Sequence, residues 1–382
     1  MIVSLTLFIQ FIFISTVLCF TKKVCDYYSD INGFYTMNMQ IGNPLQLRYF
    51  QINLESEFNW IQSSSYEKNS STTCKIISKE EIEIDNQKVE CEFMSDELKF
   101  IGPSIELDNF MFYRNEDASI KGFTSLSFAL TPKHFSHSLV SMLRTRGIIN
   151  NNRFGFVGKN LFDSKERSYI YFGNIPEEIK TTVRNGTCKV DINERKWGCR
   201  LNSLFIHHDA KVIPYEVNHF AVFTSIDNII EVPNDVMKYI EDNLFKQYFD
   251  SNACIMYEFP NFDHIECDME SIKQFKGITF LFEGIGINLN IDDLFIVMNK
   301  RGAFNIRNNK KNNQWRFGTF FLRKFILLFD YDERAITFYS DKLLSQEDMN
   351  LSYRSIKKTI IIINTLTLIL FSIVLLYNRI YK

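Results

Sequence analysis

Two segments decide how this chain is read. The first is Ile41-Gly42-Asn43-Pro44-Leu45-Gln46 followed by Phe50-Gln51-Ile52-Asn53-Leu54-Glu55-Ser56-Glu57-Phe58-Asn59-Trp60. The second, about 170 residues further on, is Ala221-Val222-Phe223-Thr224-Ser225-Ile226-Asp227-Asn228-Ile229-Ile230-Glu231-Val232-Pro233. Each runs from apolar, strand-like sequence into a polar loop and back, and the second reads as a divergent copy of the first. A duplication at this spacing predicts two homologous lobes facing one another across a cleft. Asn53 and Thr224 open the two loops.

Working outward, short runs of alternating apolar residues recur between turn signals, at 34–41, 81–84, 88–93, 169–172, 277–282 and 335–339. They predict an all-β body with few helices. One helix is predicted over 236–245, after Pro233-Asn234-Asp235. The chain has 382 residues and 46% hydrophobic content, enough for two lobes with sizeable cores. Basic and acidic residues nearly cancel, 43 against 45, and no long basic run appears, which argues against a nucleic-acid partner.

The termini predict a secretory-pathway membrane protein. Residues 2–18 form an apolar run ending before Lys22-Lys23, read as a signal peptide covering 1–19. Residues 359–377 are almost continuously Ile, Leu, Val and Phe, close to the ~20 residues that cross a bilayer. The organisation predicted is a signal (1–19), a first lobe (20–176), a second lobe (177–345), a stalk (346–358), a membrane helix contacting lipid (359–377) and a cytosolic tail (378–382). The two lobes then lie in the lumen or outside the cell.

Cysteine usage suits that compartment. Cys74 with Cys91, Cys188 with Cys199 and Cys254 with Cys267 form neighbouring couples, read as short-loop disulfides. Cys25 is left over, free or exchanging into one of these couples. Glycosylation sequons stand at Asn69, Asn185 and Asn350.

From about Tyr35 to Ser340 the chain resembles the pepsin-like aspartic proteases. Ile41 to Gln46 parallels Ile-Gly-Thr-Pro-Pro-Gln, and the stretch ending at Trp60 parallels Asp-Thr-Gly-Ser-Ser-Asn-Leu-Trp. Lys121 to Leu126 resembles Asp-Gly-Ile-Leu-Gly-Leu, with Ser125 at the second glycine. Ser168 to Gly173 and Trp197 to Leu204 resemble strands of the first and second lobes. The most specific match is Trp315-Arg316-Phe317-Gly318-Thr319-Phe320-Phe321-Leu322-Arg323-Lys324 with Phe329-Asp330, which parallels Trp-Ile-Leu-Gly-Asp-Val-Phe-Leu-Arg-Lys and Phe-Asp. The resemblance implies a bilobal β fold. The layout is similar to that of membrane-anchored members of the family.

In that alignment Asn53 and Thr224 stand where the two catalytic aspartates belong. The family's chemistry places a water between two carboxylates sharing one proton. An amide and a hydroxyl are not bases near neutral pH and carry no such proton. Leu54 and Ser225 replace the threonines that brace the lobes, and Glu55 and Ile226 replace the glycines after them. Counting from Asp96 puts Ile84-Asp85-Asn86-Gln87 at the tip of the hairpin flap, without the family's tyrosine. No room remains for a prosegment between the signal and the first strand.

Glu55 and Asp227 are the fallback carboxylates. Bringing them together breaks the registers set by Trp60 and Pro233, so they are read, with Glu57, as solvated loop residues. His134, His137, His207 and His208 lack companions at metal-ligand spacing, and no metal or cofactor is predicted. The sequence thus predicts a non-hydrolytic module that binds an extended peptide or protein in its cleft. The alternatives are an endopeptidase using Glu55 and Asp227, and a structural or adhesive surface glycoprotein.

Overall fold

The computed structural model describes residues 20–25 and 35–344, apart from breaks at 85–86, 102–104, 116–123, 133–135, 137, 158–167, 177–182, 209–210, 299 and 311–312. The leader, stalk, membrane segment and tail predicted above lie outside the described residues, as do Asn350, His134, His137 and the flap-tip pair Asp85 and Asn86. No helix among the described residues is long and apolar enough to cross a membrane.

The architecture is mostly β and two-lobed. Period-2 patterning builds it: in Thr36–Ile41, Met37, Met39 and Ile41 are buried while Thr36, Asn38 and Gln40 are half-buried. Gln46–Asn53 begins with the same alternation, leaving Leu47 and Tyr49 exposed. It then buries Phe50, Gln51 and Ile52 in succession as it enters the interior.

Each lobe contains a seven-stranded sheet, and the two sheets repeat one crossing pattern. In the first, Gln46–Asn53 runs parallel to Ser125–Ser127, which meets Trp60–Gln62 antiparallel, and Trp60–Gln62 runs parallel to Glu106–Asn115. In the second, Lys211–Phe223 runs parallel to Trp315–Phe317, which meets Ile230–Val232 antiparallel, and Ile230–Val232 runs parallel to Ile306–Asn308. The duplication read from the sequence is therefore present in the strand order.

The pairings correct one motif. Asn53 lies opposite Ser127, and Phe223 lies opposite Phe317, which brings Thr224 beside Gly318. Matching Asn53 to Thr224 makes Ser127 the partner of Gly318 and Ser125 the partner of Arg316. The alignment that put Ser125 at the glycine is two residues out of register.

A six-stranded sheet joins the lobes. Phe20–Cys25, Ser168–Gly173 and Arg153–Val157 come from the first half, and Ile326–Asp330, Ala335–Tyr339 and Asn185–Lys189 from the second. The seam pairs Phe154 with Phe329, whose rings stack at 4.8 Å, and Trp197 packs edge-on to Phe329 at 5.2 Å. The Trp197 indole donates to the Phe128 carbonyl at 2.7 Å, so this buried polar group is satisfied across the seam.

The predicted helix is present and longer. Asn234–Ile240 continues through a π-helical turn, Glu241–Phe245, into Lys246–Asp250. Val236, Met237, Ile240, Leu244, Phe245 and Tyr248 form its buried stripe.

Two disulfides are as predicted. Cys188 bonds Cys199, and Cys254 bonds Cys267, the latter pair lying directly opposite in adjacent strands. Cys74 and Cys91 are free thiols, which overturns the third couple. The hairpin register explains this: Lys75 faces Ser95 while Cys91 faces Glu80. Four residues of extended chain separate Ser95 from Cys91, about 13 Å at strand spacing, beyond the ~7 Å Cα limit of a disulfide. Burial, with Glu80 and Glu90 nearby, pushes the Cys91 thiol up to about 11. In the folded protein Cys91 is therefore expected to resist alkylation at neutral pH and to react only toward pH 11. After denaturation without reductant, mass spectrometry should find Cys74 and Cys91 labelled, and Cys188, Cys199, Cys254 and Cys267 labelled only once reductant is added.

Candidate functional site

The two duplicated loops meet where the lobes join. The buried Ser225 hydroxyl accepts from the Leu54 amide at 3.0 Å and donates to the Ile52 carbonyl at 2.7 Å. One side chain thus ties the two loops together through both of its hydrogen-bonding roles. Leu54 has no polar group with which to return the bond.

Asn53 ends its strand and turns the loop. Its Oδ1 accepts from the amides of Glu55 and Ser56, both at 2.9 Å, an Asx-type turn. Two backbone donors fix the amide orientation, leaving Nδ2 with no described acceptor on a residue that is half-buried. Thr224 is fully buried and committed. Its amide donates to the Phe317 carbonyl at 3.0 Å, and its hydroxyl donates to Glu55 Oε2 at 3.1 Å.

The residue that organises the site is Arg316. Its guanidinium forks onto Glu55, with Nη1 to Oε1 at 3.2 Å and Nη2 to Oε2 at 2.8 Å, and Nη2 also reaches Asp227 Oδ2 at 3.0 Å. Nε lies 3.6 Å from Glu231 Oε2. Glu231 is held in turn by Arg307 at 2.6 Å and by Asn309 at 2.8 Å. Lys196 approaches Glu55 Oε1 at 3.3 Å. The Arg316 and Glu55 side chains are only 13% and 11% exposed, so this is a largely desolvated ion pair. Burial alone pulls the guanidinium's pKa down; Glu55 and Asp227 more than reverse it, leaving it above its ordinary value.

Local backbone geometry delivers Arg316 to this point. A Cβ on Gly318 would sit 2.5 Å from the Ile229 carbonyl and 2.6 Å from that of Asp227, so only glycine permits this approach of strand to loop. Gly318 and Thr319 then donate to the Ile229 and Asp227 carbonyls at 3.0 and 2.8 Å. Arg316 is thereby laid beside the second loop. Its counterpart in the first lobe is the small, buried Ser125, so the charge is not mirrored.

This corrects the reading of Glu55 and Asp227 as solvated. Both loops keep their registers, yet the two carboxylates converge on one nitrogen because Arg316 draws them in. Of the predicted loop carboxylates, Glu57 alone is exposed, at a narrow crevice it lines with Phe58, Phe93, Met111 and Tyr113. Sequence reasoning missed Arg316, although the signal was there: an arginine in the strand slot where Trp-Ile-Leu-Gly carries isoleucine must find carboxylates if it is buried.

The remaining sites take their places around this centre. The flap hairpin is built from Lys75–Ile84 and Gln87–Phe100 and closes at the Ile84 and Gln87 pair. At its base Asp96 accepts from the buried Tyr66 hydroxyl and, at 2.6 Å, from Thr73. His207 is bonded to Thr279 at 2.8 Å and His208 to Tyr248 at 3.0 Å. Asn69 and Asn185 are exposed. Among the described residues, no group of three or more His, Cys, Asp or Glu is placed to hold a metal ion.

Comparison with known proteins accords with this geometry. The model of the eukaryotic aspartyl protease family matches residues 46–340. An aspartic proteinase from Irpex lacteus superposes with a TM-score of 0.66 at 10% identity, covering 84% of this chain and 97% of that one. Basic 7S globulin from soybean superposes with a TM-score of 0.67 at 13% identity, with the same coverages of 84% and 97%. No curated protein sequence matches the chain. The family match spans most of the chain, and both the strand order and the loop duplication agree with it: the chain belongs to the eukaryotic aspartyl protease family, with a pepsin-like fold.

Proposed function

We propose that this protein holds an extended peptide or protein segment in its cleft without hydrolysing it. The observation that carries this reading is the Arg316 fork onto Glu55 and its reach to Asp227. Peptide hydrolysis by this fold needs two carboxylates sharing a proton over a water. An amide and a hydroxyl stand at the matching positions, Asn53 and Thr224. The nearby carboxylates are engaged by a guanidinium that stays charged at all working pH values. A pepsin-like cleft binds extended chains by strand-like hydrogen bonding, and that capacity does not depend on the catalytic pair.

Residues 359–377 would anchor the protein in a secretory-pathway or surface membrane, with both lobes lumenal or extracellular. The convergence of Glu55 and Asp227 also favours a second reading, an endopeptidase that uses this pair.

Three outcomes are expected. The full-length chain, incubated with a diverse peptide library from acid to neutral pH, should retain a subset of peptides and cleave none. Cleavage abolished by Asp227→Ala would establish the endopeptidase, and retention of no peptide would favour a structural or adhesive protein. Arg316→Met should lower stability by about 3 kcal/mol in chemical denaturation, because it strands a desolvated Glu55, and Arg316→Lys should cost less. In cells, the protein should resist alkaline extraction from membranes, and deletion of 359–382 should release it.

A further inference from the structure

The two positions that open the loops have opposite hydrogen-bonding status. Thr224 has spent its hydroxyl on Glu55, whereas Asn53 has spent only Oδ1, on two backbone amides. No described group accepts from Asn53 Nδ2, and the residue is half-buried rather than sealed. An aspartate here would make the same two loop bonds and aim a second acceptor outward. Asparagine keeps the loop and reverses the outward group from acceptor to donor.

We infer that Asn53 Nδ2 is the anchor for a main-chain carbonyl of the bound peptide, and therefore a specificity-determining group of the cleft. The inference rests on the peptide-binding reading above and names the ligand group that the cleft selects. A neutral carbonyl fits better than a terminal carboxylate. Glu55 is the second residue along the same loop and Asp227 is drawn to the same guanidinium, so an incoming anion meets two carboxylates while Arg316 is already shared between them. Of the two loop-opening residues, only Asn53 keeps a side-chain donor with no described acceptor, so the contact is one-sided. No bond in the ligand is made or broken.

The test is a double-mutant cycle between protein and ligand. A peptide retained by the full-length chain from a random extended decapeptide library is resynthesised with one amide at a time replaced by an alkene isostere. Asn53→Asp keeps Oδ1 and the turn but presents an acceptor to the carbonyl, and it should bind the parent peptide at least about ten-fold more weakly. Asn53→Ala, compared in case the aspartate variant does not fold, should also weaken binding. At one ligand position the isostere should cost the wild type about ten-fold and cost Asn53→Ala nothing further, with a melting transition showing that each variant is folded. If the parent peptide binds all folded variants equally, or the isostere penalties are the same in wild type and Asn53→Ala at every position, the Asn53 assignment is wrong and the peptide-binding reading stands. If the library yields no retained peptide, both fall together.

Discussion

A buried guanidinium cannot be left unpaired, and that constraint governs the centre of this molecule. Arg316 is largely desolvated, its side chain only 13% exposed, and removing an isolated charge from water costs far more than a domain's net stability allows. The cost is offset only because Glu55 arrives from the first lobe and Asp227 and Glu231 from the second, while Nη2 also reaches the Thr224 hydroxyl at 3.4 Å. Glu231 needs Arg307 in turn, so the requirement spreads through the cleft floor. Polar networks of this kind hold only when nearly every member is satisfied.

Beyond the centre, aromatic packing joins the halves. Phe154, Phe329 and Trp197 meet at the seam, and Phe223, Phe317 and Phe321 fill the second lobe. The chain carries 37 phenylalanines, and those at Phe154, Phe223, Phe317, Phe321 and Phe329 are fully buried. A preference for rings is thus realised as core volume, where edge-to-face and stacked contacts add to simple burial.

Much of the fold was legible because strand periodicity and the loop duplication are local patterns: Thr36–Ile41, the helix after Pro233 and the two copies at Asn53 and Thr224 all announce themselves. What was hidden depends on register. Cys74 and Cys91 are near in sequence and far apart on their hairpin, while Cys254 and Cys267 face one another, and spacing alone does not separate the cases. The Ser125 alignment failed for the same reason, since a two-residue slip preserves the side-chain alternation of a strand. Arg316 was visible as a letter, but its forked partner Glu55 lies more than 250 residues away. Pairing at that range is a tertiary fact.

The seam sheet has a consequence for how the chain comes to be folded. Arg153–Val157 finds its partner in Ile326–Asp330, and Asn185–Lys189 closes on Ala335–Tyr339, near the far end of the described body. The first lobe's share of that sheet therefore waits, with the Arg153–Val157 edge unpaired and Phe154 lacking the Phe329 ring, until Ile326–Asp330 has been made. Pairings of such long range make folding slow and leave an open strand edge in the meantime. For this protein the lobes are repeats in architecture, yet neither is complete as a folding unit without the other.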